Sequence, residues 1–311
     1  MALIADYAIT PDVFDVTSYS GEEVCGLRLG IIKDAMLDEG LVRDLRGGEW
    51  QELLVSSARP WHRRAQEIAK KLVMQGRLVP CEPALATSPA DDQGWCAEAL
   101  ASHAGAPMTG GVIATASVKA AYPEEPVVER VDTLEKAPWW RSRGSSVRLE
   151  RSLDAYRRHL KLVLSHARSL QFVDAYLDPE RDHYRGFADL LAGAGSRQVP
   201  PRIEIHRKCP DDHDRMSQNL DYIEGVFRRE LAQRLRATGL SVEVYVWDDF
   251  HDRYLISNLI GIGMQNGFDT SGKADDLTTW TRLTRTDQDD IQREFDPASR
   301  RHKLRRHFQV P

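Results

Sequence analysis

From residue 170 onward, short apolar runs suited to strands alternate with helical stretches, and that alternation limits the possible folds more than any other feature of the sequence. LQFVDAYLD is followed by YRGFADLLAG, by RIEIHR, and by a helical stretch over about 218–237 that Gly239 stops. Then come SVEVYVWDD, two strands across FHDRYLISNLIGIGMQNGFD, TTWTRLT, and a helix from Thr286. A β-α-β-α-β-β order calls for a mixed sheet with helices on its faces, because each helix must return the chain to the sheet it left. The expected fold class is therefore α/β, with this domain taken over residues 146–311.

Residues 1–145 read as a mainly helical domain. Ser20-Gly-Glu-Glu23 has the spacing of a capping box ahead of Val24, Leu27, Ile31, Ile32 and Met36, with Gly40 as the stop. A second helix, about 59–75, carries Trp61, Ile68, Leu72 and Val73 on one side. Residues 81–145 are rich in Ala, Gly, Pro and Ser, with one strand-like piece, GGVIATASV. Ser146 is expected to cap a helix whose seam runs Leu149, Leu153, Tyr156, Leu160, Val163 and Ala167. The arginines on its other faces, among them Arg148 and Arg157, mark a solvated side.

A chain of 311 residues can bury a core without metal or disulfides, and its net charge of -5 names no partner. The four cysteines, Cys25, Cys81, Cys96 and Cys209, form no CxxC pair, which points to a reducing compartment. MALIADYAITPDVFD has no basic stretch before an apolar run, and no window is long and apolar enough to cross a bilayer. A cytoplasmic location without membrane contact is expected. GxSxG, P-loop and GxGxxG signatures are absent from the sequence.

Chemistry concentrates in the two strands after SVEVYVWDD. Period two sends His251 and Arg253 to one face of the first, while Gly261, Gly263 and Gly267 in the second leave room for a ligand and Asn266 offers an amide. A phosphodiester fits such a set. The cation and amide would take its non-bridging oxygens, and a neutral imidazole would attack phosphorus.

The run resembles the HKD motif of the phospholipase D-like superfamily: histidine, any residue, lysine, four residues, aspartate, then a glycine-rich strand with an amide. Here the positions hold His251, Arg253 for the lysine and Asn258 for the aspartate, with Gly263 and Asn266 near the family's Gly-Ser-x-Asn. Arginine keeps the charge and adds a planar fork. Asparagine loses the carboxylate. The resemblance covers the second half of the chain and implies a phospholipase D-like sheet and a metal-independent phosphodiesterase without cofactor. His251, Arg253 and Asn266 would be catalytic, with Asn258 and Gly263 on the substrate. The family uses two motifs per site and this chain has one, so a homodimer is implied, in which one His251 forms a phosphohistidine and its mate protonates the leaving oxygen.

Other residues extend the site. His206 ends a strand expected beside the one leading to His251, which makes it a neighbour of the phosphate. One of Asp174, Asp178, Glu204, Asp248 and Asp249 is expected to orient His251, and the sequence leaves the choice open. Arg282 and Arg285, with the basic tail SRRHKLRRHFQV, favour nucleic acid, DNA or RNA, over lipid. The spacing of His206, Cys209 and His213 fits no zinc pattern, so no metal is expected. A second reading keeps the fold as a catalytically inactive module that binds nucleic acid or protein in a defence or regulatory system, with residues 1–145 as the place for a protein partner.

Overall fold

The computed structural model describes residues 2–195, 197–209 and 216–311. The chain divides into two compact units, Met1–Gly144 and Ser145–Pro311.

In the first unit the strands β1 (Ala5–Ile9), β2 (Gly40–Asp44), β3 (Leu78–Pro80), β4 (Val112–Ala114) and β5 (Val128–Arg130) form a parallel sheet in the order β3-β2-β1-β4-β5. Between them run α1 (Glu22–Asp38), α2 (Glu49–Val55), α3 (Arg63–Met74), α4 (Asp92–Gly105), α5 (Ala116–Ala121) and, after β5, α6 (Pro138–Arg141). The crossovers 1→2→3 and 1→4→5 run in opposite directions from the central β1, and α1 packs with α3 while α4 packs with α5. Helices outweigh strands here, but they are organised by a sheet that the helical expectation missed.

The reason lies in polar residues inside strands. Asp6 in β1 and Arg43 in β2 are both buried, and Arg43 Nε and Nη2 donate to Asp6 Oδ2 at 3.1 and 3.0 Å. Asp6 Oδ1 also accepts from Thr109 N at 2.8 Å. A charge pair met in this way can sit in a buried strand, yet it breaks the apolar run by which such a strand is recognised. The helix start also differs from expectation, since Gly21 rather than Ser20 takes the cap position of α1. Gly40 opens β2 instead of closing α1; a Cβ there would lie 2.8 Å from Ala35 O.

The second unit contains β6 (Ser146–Glu150), α7 (Leu153–His166), β7 (Ser169–Asp174), α8 (Phe187–Ala192), β8 (Arg202–Lys208), α9 (Met216–Thr238), β9 (Val242–Trp247), β10 (Arg253–Ser257), β11 (Gly261–Met264), β12 (Leu277–Arg282), α10 (Arg285–Glu294) and β13 (Leu304–Val310). Its sheet has the order β13-β9-β8-β7-β10-β11-β12-β6. β7, β8 and β9 are parallel and the remaining pairs antiparallel, so the sheet is mixed. The architecture is α/β.

Period two divides the side chains between layers. Phe172 meets Phe187 of α8 on one face, while Val173 and Tyr245 pack with Ile291 of α10 and Phe295 just after it on the other. The helix expected from Ser146 is corrected: residues 146–150 form an edge strand with alternating exposed and buried positions, Val147 and Leu149 inward. Ser152, not Ser146, caps α7, accepting from Ala155 N at 3.3 Å. The basic tail is also a strand, β13, paired antiparallel with β9.

Candidate functional site

The carboxyl ends of the parallel strands β7, β8 and β9 lie on the same margin of the sheet as the start of β10, because Arg253 stands opposite Asp174 in the antiparallel β7–β10 pair. Open α/β sheets take ligands outside such strand ends. Here the margin holds a cleft of about 210 Å³ lined by Tyr176, Asp178, Arg181, Arg207, Lys208 and His251.

Asp174, at the last position of β7, is fully buried. Its Oδ1 accepts from Tyr176 N at 3.0 Å, and its Oδ2 accepts from Phe268 N and Tyr184 Oη, each at 3.1 Å. Burial raises its pKa above the usual carboxylate range, and the backbone donors only partly offset this. Arg253 Nε stands 3.8 Å from Asp174 Oδ1, and its guanidinium lies over the Tyr176 ring at 5.0 Å. Gly267 closes the arrangement from the turn after β11. It has φ +66°, and a Cβ there would fall 2.1 Å from Asp174 Oδ2.

His251 lies just before β10 rather than inside a strand, with its side chain 66% exposed on the rim of the cleft. Its Nδ1 is 2.9 Å from Tyr176 Oη, and its Nε2 is 3.7 Å from Asp249 Oδ1. Of the five acids expected to orient it, none is within hydrogen-bond distance. Tyr176 holds the ring, and Asp249 stands nearby while pairing with Lys208 at 3.0 Å. Asp249 is held below its usual pKa chiefly by that lysine.

Arg207 supplies the cleft's least satisfied charge. It is 7% exposed, its Nε donates to Lys208 O at 3.2 Å, and its guanidinium faces the Phe227 ring at 6.0 Å. Arg181 pairs with Asp178 at 3.4 Å, but among the described residues no carboxylate pairs with Arg207. Burial lowers its pKa. A guanidinium removed from water and meeting no carboxylate among the described residues favours an anion that can enter.

The remaining expected positions divide. Asn266 sits half-buried beside Gly267, and no hydrogen bond among the described residues engages its amide. Gly263 pairs with Tyr254 on β11, one strand from the cleft. Asn258 belongs to the opposite margin: its Oδ1 accepts from Arg168 N at 2.7 Å at the start of β7. That is on the order of 20 Å of strand away from His251, so it does not serve the substrate there. Arg282 pairs across to Ile262, two strands beyond β10 and toward the Asn258 end, which removes it from the cleft as well.

His206 is corrected most clearly. It is fully buried, its ring nearly parallel to those of Tyr245 at 4.9 Å and Trp247 at 5.9 Å. Trp247 Nε1 donates to its Nδ1 at 3.0 Å, and its Nε2 meets Gln171 at 3.0 Å. With both ring nitrogens engaged, it is a core residue and cannot touch a phosphate or ligate zinc. His213 lies outside the described residues, as do the other positions of 210–215.

Tyr176, Arg181, Arg207 and Lys208 were not singled out from sequence. Their signal was position: Arg207 and Lys208 close β8, and Tyr176 stands two residues past β7. Among the described residues no group of three or more His, Cys, Asp or Glu could hold a metal ion, and no helix is long and apolar enough to cross a membrane.

No family model matches the chain, and no curated protein matches it. Among solved structures, one similar chain is TrmBL2, an archaeal chromatin protein whose structure is described as showing a novel mode of DNA binding. The identity is 11%, over 51% of this chain and 54% of that one, with a TM-score of 0.28. The match spans about half of that chain, and a likeness at this level carries no argument.

Proposed function

We propose that the unit Ser145–Pro311 is a phospholipase D-like phosphodiesterase that cleaves nucleic acid, DNA or RNA, without a metal. The observation that carries the reading is the juxtaposition of Arg207, a nearly buried cation that meets no carboxylate among the described residues, with the exposed ring of His251 on the same cleft. Arg207 and Lys208 hold the non-bridging oxygens of the diester. His251 attacks through Nε2 once its Nδ1–H donates to Tyr176 Oη, the orientation that leaves the Nε2 lone pair outward. A P–N bond forms as the P–O bond to the leaving group breaks, and the departing oxygen takes a proton. His251 of a second copy is the proton donor, since no other imidazole lines this cleft among the described residues. Water then attacks the phosphohistidine, returning the ring and releasing a phosphomonoester.

The test is cleavage of single- and double-stranded DNA and of RNA in the presence of EDTA. His251→Ala is expected to lower the rate by about 10³-fold or more with binding retained. Cleavage that disappears with chelator, or that survives the substitution, overturns the reading.

One observation favours the inactive alternative. Asp249 Oδ1 stands 3.7 Å from Nε2, so a carboxylate faces the nitrogen that would attack and repels an anionic diester. On that reading the protein shows salt-sensitive nucleic-acid binding with no turnover, and binding depends on Arg207.

A further inference from the structure

The first unit has a ligand crevice of its own. Its strand order reverses between β1 and β4, and outside the carboxyl ends of those two strands lies a space of about 400 Å³ lined by Asp12, Thr17, Asp91, Asp92, Gln93, Thr115 and Ser117. This switch point is the place where doubly wound sheets take ligands. The feature that singles it out is Asp12, which follows β1 and is 3% exposed. Thr115 Oγ1 donates to its Oδ2 instead of capping α5. Its Oδ1 has no hydrogen-bond partner among the described residues, the nearby Thr10 hydroxyl donating to Ile113 O at 3.2 Å. A buried acceptor without a donor, on a residue that lines a crevice, is costly unless a ligand supplies one.

The lining decides what that ligand is. Among the described residues no cation lines the crevice, and its carboxylates repel a phosphate. The acids do not converge on a metal either. Asp92 is matched by Arg59 Nη1 at 2.6 and 2.8 Å, and Asp91 Oδ1 accepts from Gly94 N at 2.7 Å to cap α4. What remains is one buried, unpartnered carboxylate oxygen of a lining residue beside hydroxyls and an amide, a set that answers neutral hydroxyl donors.

We propose that this crevice binds the vicinal diol of a sugar, free or as the ribose of a nucleoside, with Asp12 Oδ1 accepting from one hydroxyl and the Thr17, Ser117 and Gln93 side chains meeting the rest of the ring. The site is independent of the cleft that holds His251.

Calorimetric titration of the full chain with D-ribose, adenosine and uridine, and in separate arms with magnesium chloride and spermidine, tests it. Saturable binding of ribose or of a nucleoside is expected, and tighter binding of nucleosides than of ribose identifies the base-linked source. Asp12→Asn should weaken binding by about tenfold or more, the loss of a hydrogen bond to a charged group. Ser117→Tyr, on the exposed rim, should block the crevice while leaving the melting temperature in place. The proposal fails if no polyol binds up to about 10 mM, a weak affinity for even a small ligand. It also fails if both variants bind like the parent, or if only magnesium or spermidine binds in an Asp12-dependent way.

Discussion

Asp174 accepts three hydrogen bonds from Tyr176 N, Phe268 N and Tyr184 Oη, and its oxygens fill the space a side chain at Gly267 would need. Gly267→Ala therefore meets two penalties, the left-handed φ of +66° and a clash with a carboxylate that cannot move without losing donors. A loss on the order of 2–4 kcal/mol is expected in denaturant titration. A loss under about 0.5 kcal/mol, the level of an ordinary surface change, would show that the turn relaxes freely. Arg207 predicts the opposite sign. Replacing its nearly buried charge, which meets no carboxylate among the described residues, by the apolar Arg207→Met should raise stability by on the order of 1–2 kcal/mol while removing anion binding. Stability and binding moving in opposite directions is the signature of a charge kept for a ligand. A variant that loses both points to a structural arginine.

At the scale of elements, what could be read from sequence followed the continuity of apolar side chains. The runs at β7, β8 and β9 are buried along most of their length and were legible, as was the helix at α3 with Ile68 and Leu72 inward. β1 and β2 were not, because Asp6 and Arg43 interrupt them and find each other only across the sheet. β6 reads as part of a helix because Leu149 and Leu153 also fit a seam of four and three, although Val147 and Leu149 alternate with Ser146, Arg148 and Glu150. For the site, His251 and Arg253 were visible as a spaced pair, whereas the residues that complete the cleft come from the ends of strands distant in sequence. The basic tail misled in a specific way. Arg301 pairs with Asp290 at 2.8 and 3.1 Å, and Arg306 with Asp221 at 2.8 Å and Glu224 at 2.9 Å, so these two charges are already answered on the surface of the second unit. Replacing Arg301 and Arg306 together by alanine should change nucleic-acid affinity less than about twofold, against a large loss for Arg207→Met. A fluorescence-anisotropy titration at two salt concentrations makes the comparison. A tail variant that loses affinity and salt dependence would return the nucleic-acid contact to β13.

On the scale of the whole chain, the core around Tyr7, Phe14 and Trp50 belongs to Met1–Gly144, and the aromatic layer around Tyr245, Trp247 and Phe295 to Ser145–Pro311, so each unit has a sheet and an interior of its own. The second unit carries a titration that the first should not share. His206 is fully buried and its pKa is lowered by that burial, with Glu204 opposing only in part. Its neutral form is the folded form. Below the ordinary histidine value of 6.5 the unfolded chain binds a proton that the folded unit does not, so stability is intact above that value and falls as the pH drops through it. The buried Asp174 has the reverse sign. Its raised pKa makes the folded unit the better proton binder in the window above 3.8, so its contribution declines as the pH rises there. A fragment spanning residues 145–311 should consequently fold alone and melt at a lower temperature near pH 5.5 than near pH 7.5. His206→Gln, which keeps a polar side chain without a titrating ring, should flatten that difference even if it lowers both melting points through lost stacking. If the pH difference persists unchanged in His206→Gln, the titration belongs to another group, and the neutral buried imidazole is not what ties this unit's stability to pH.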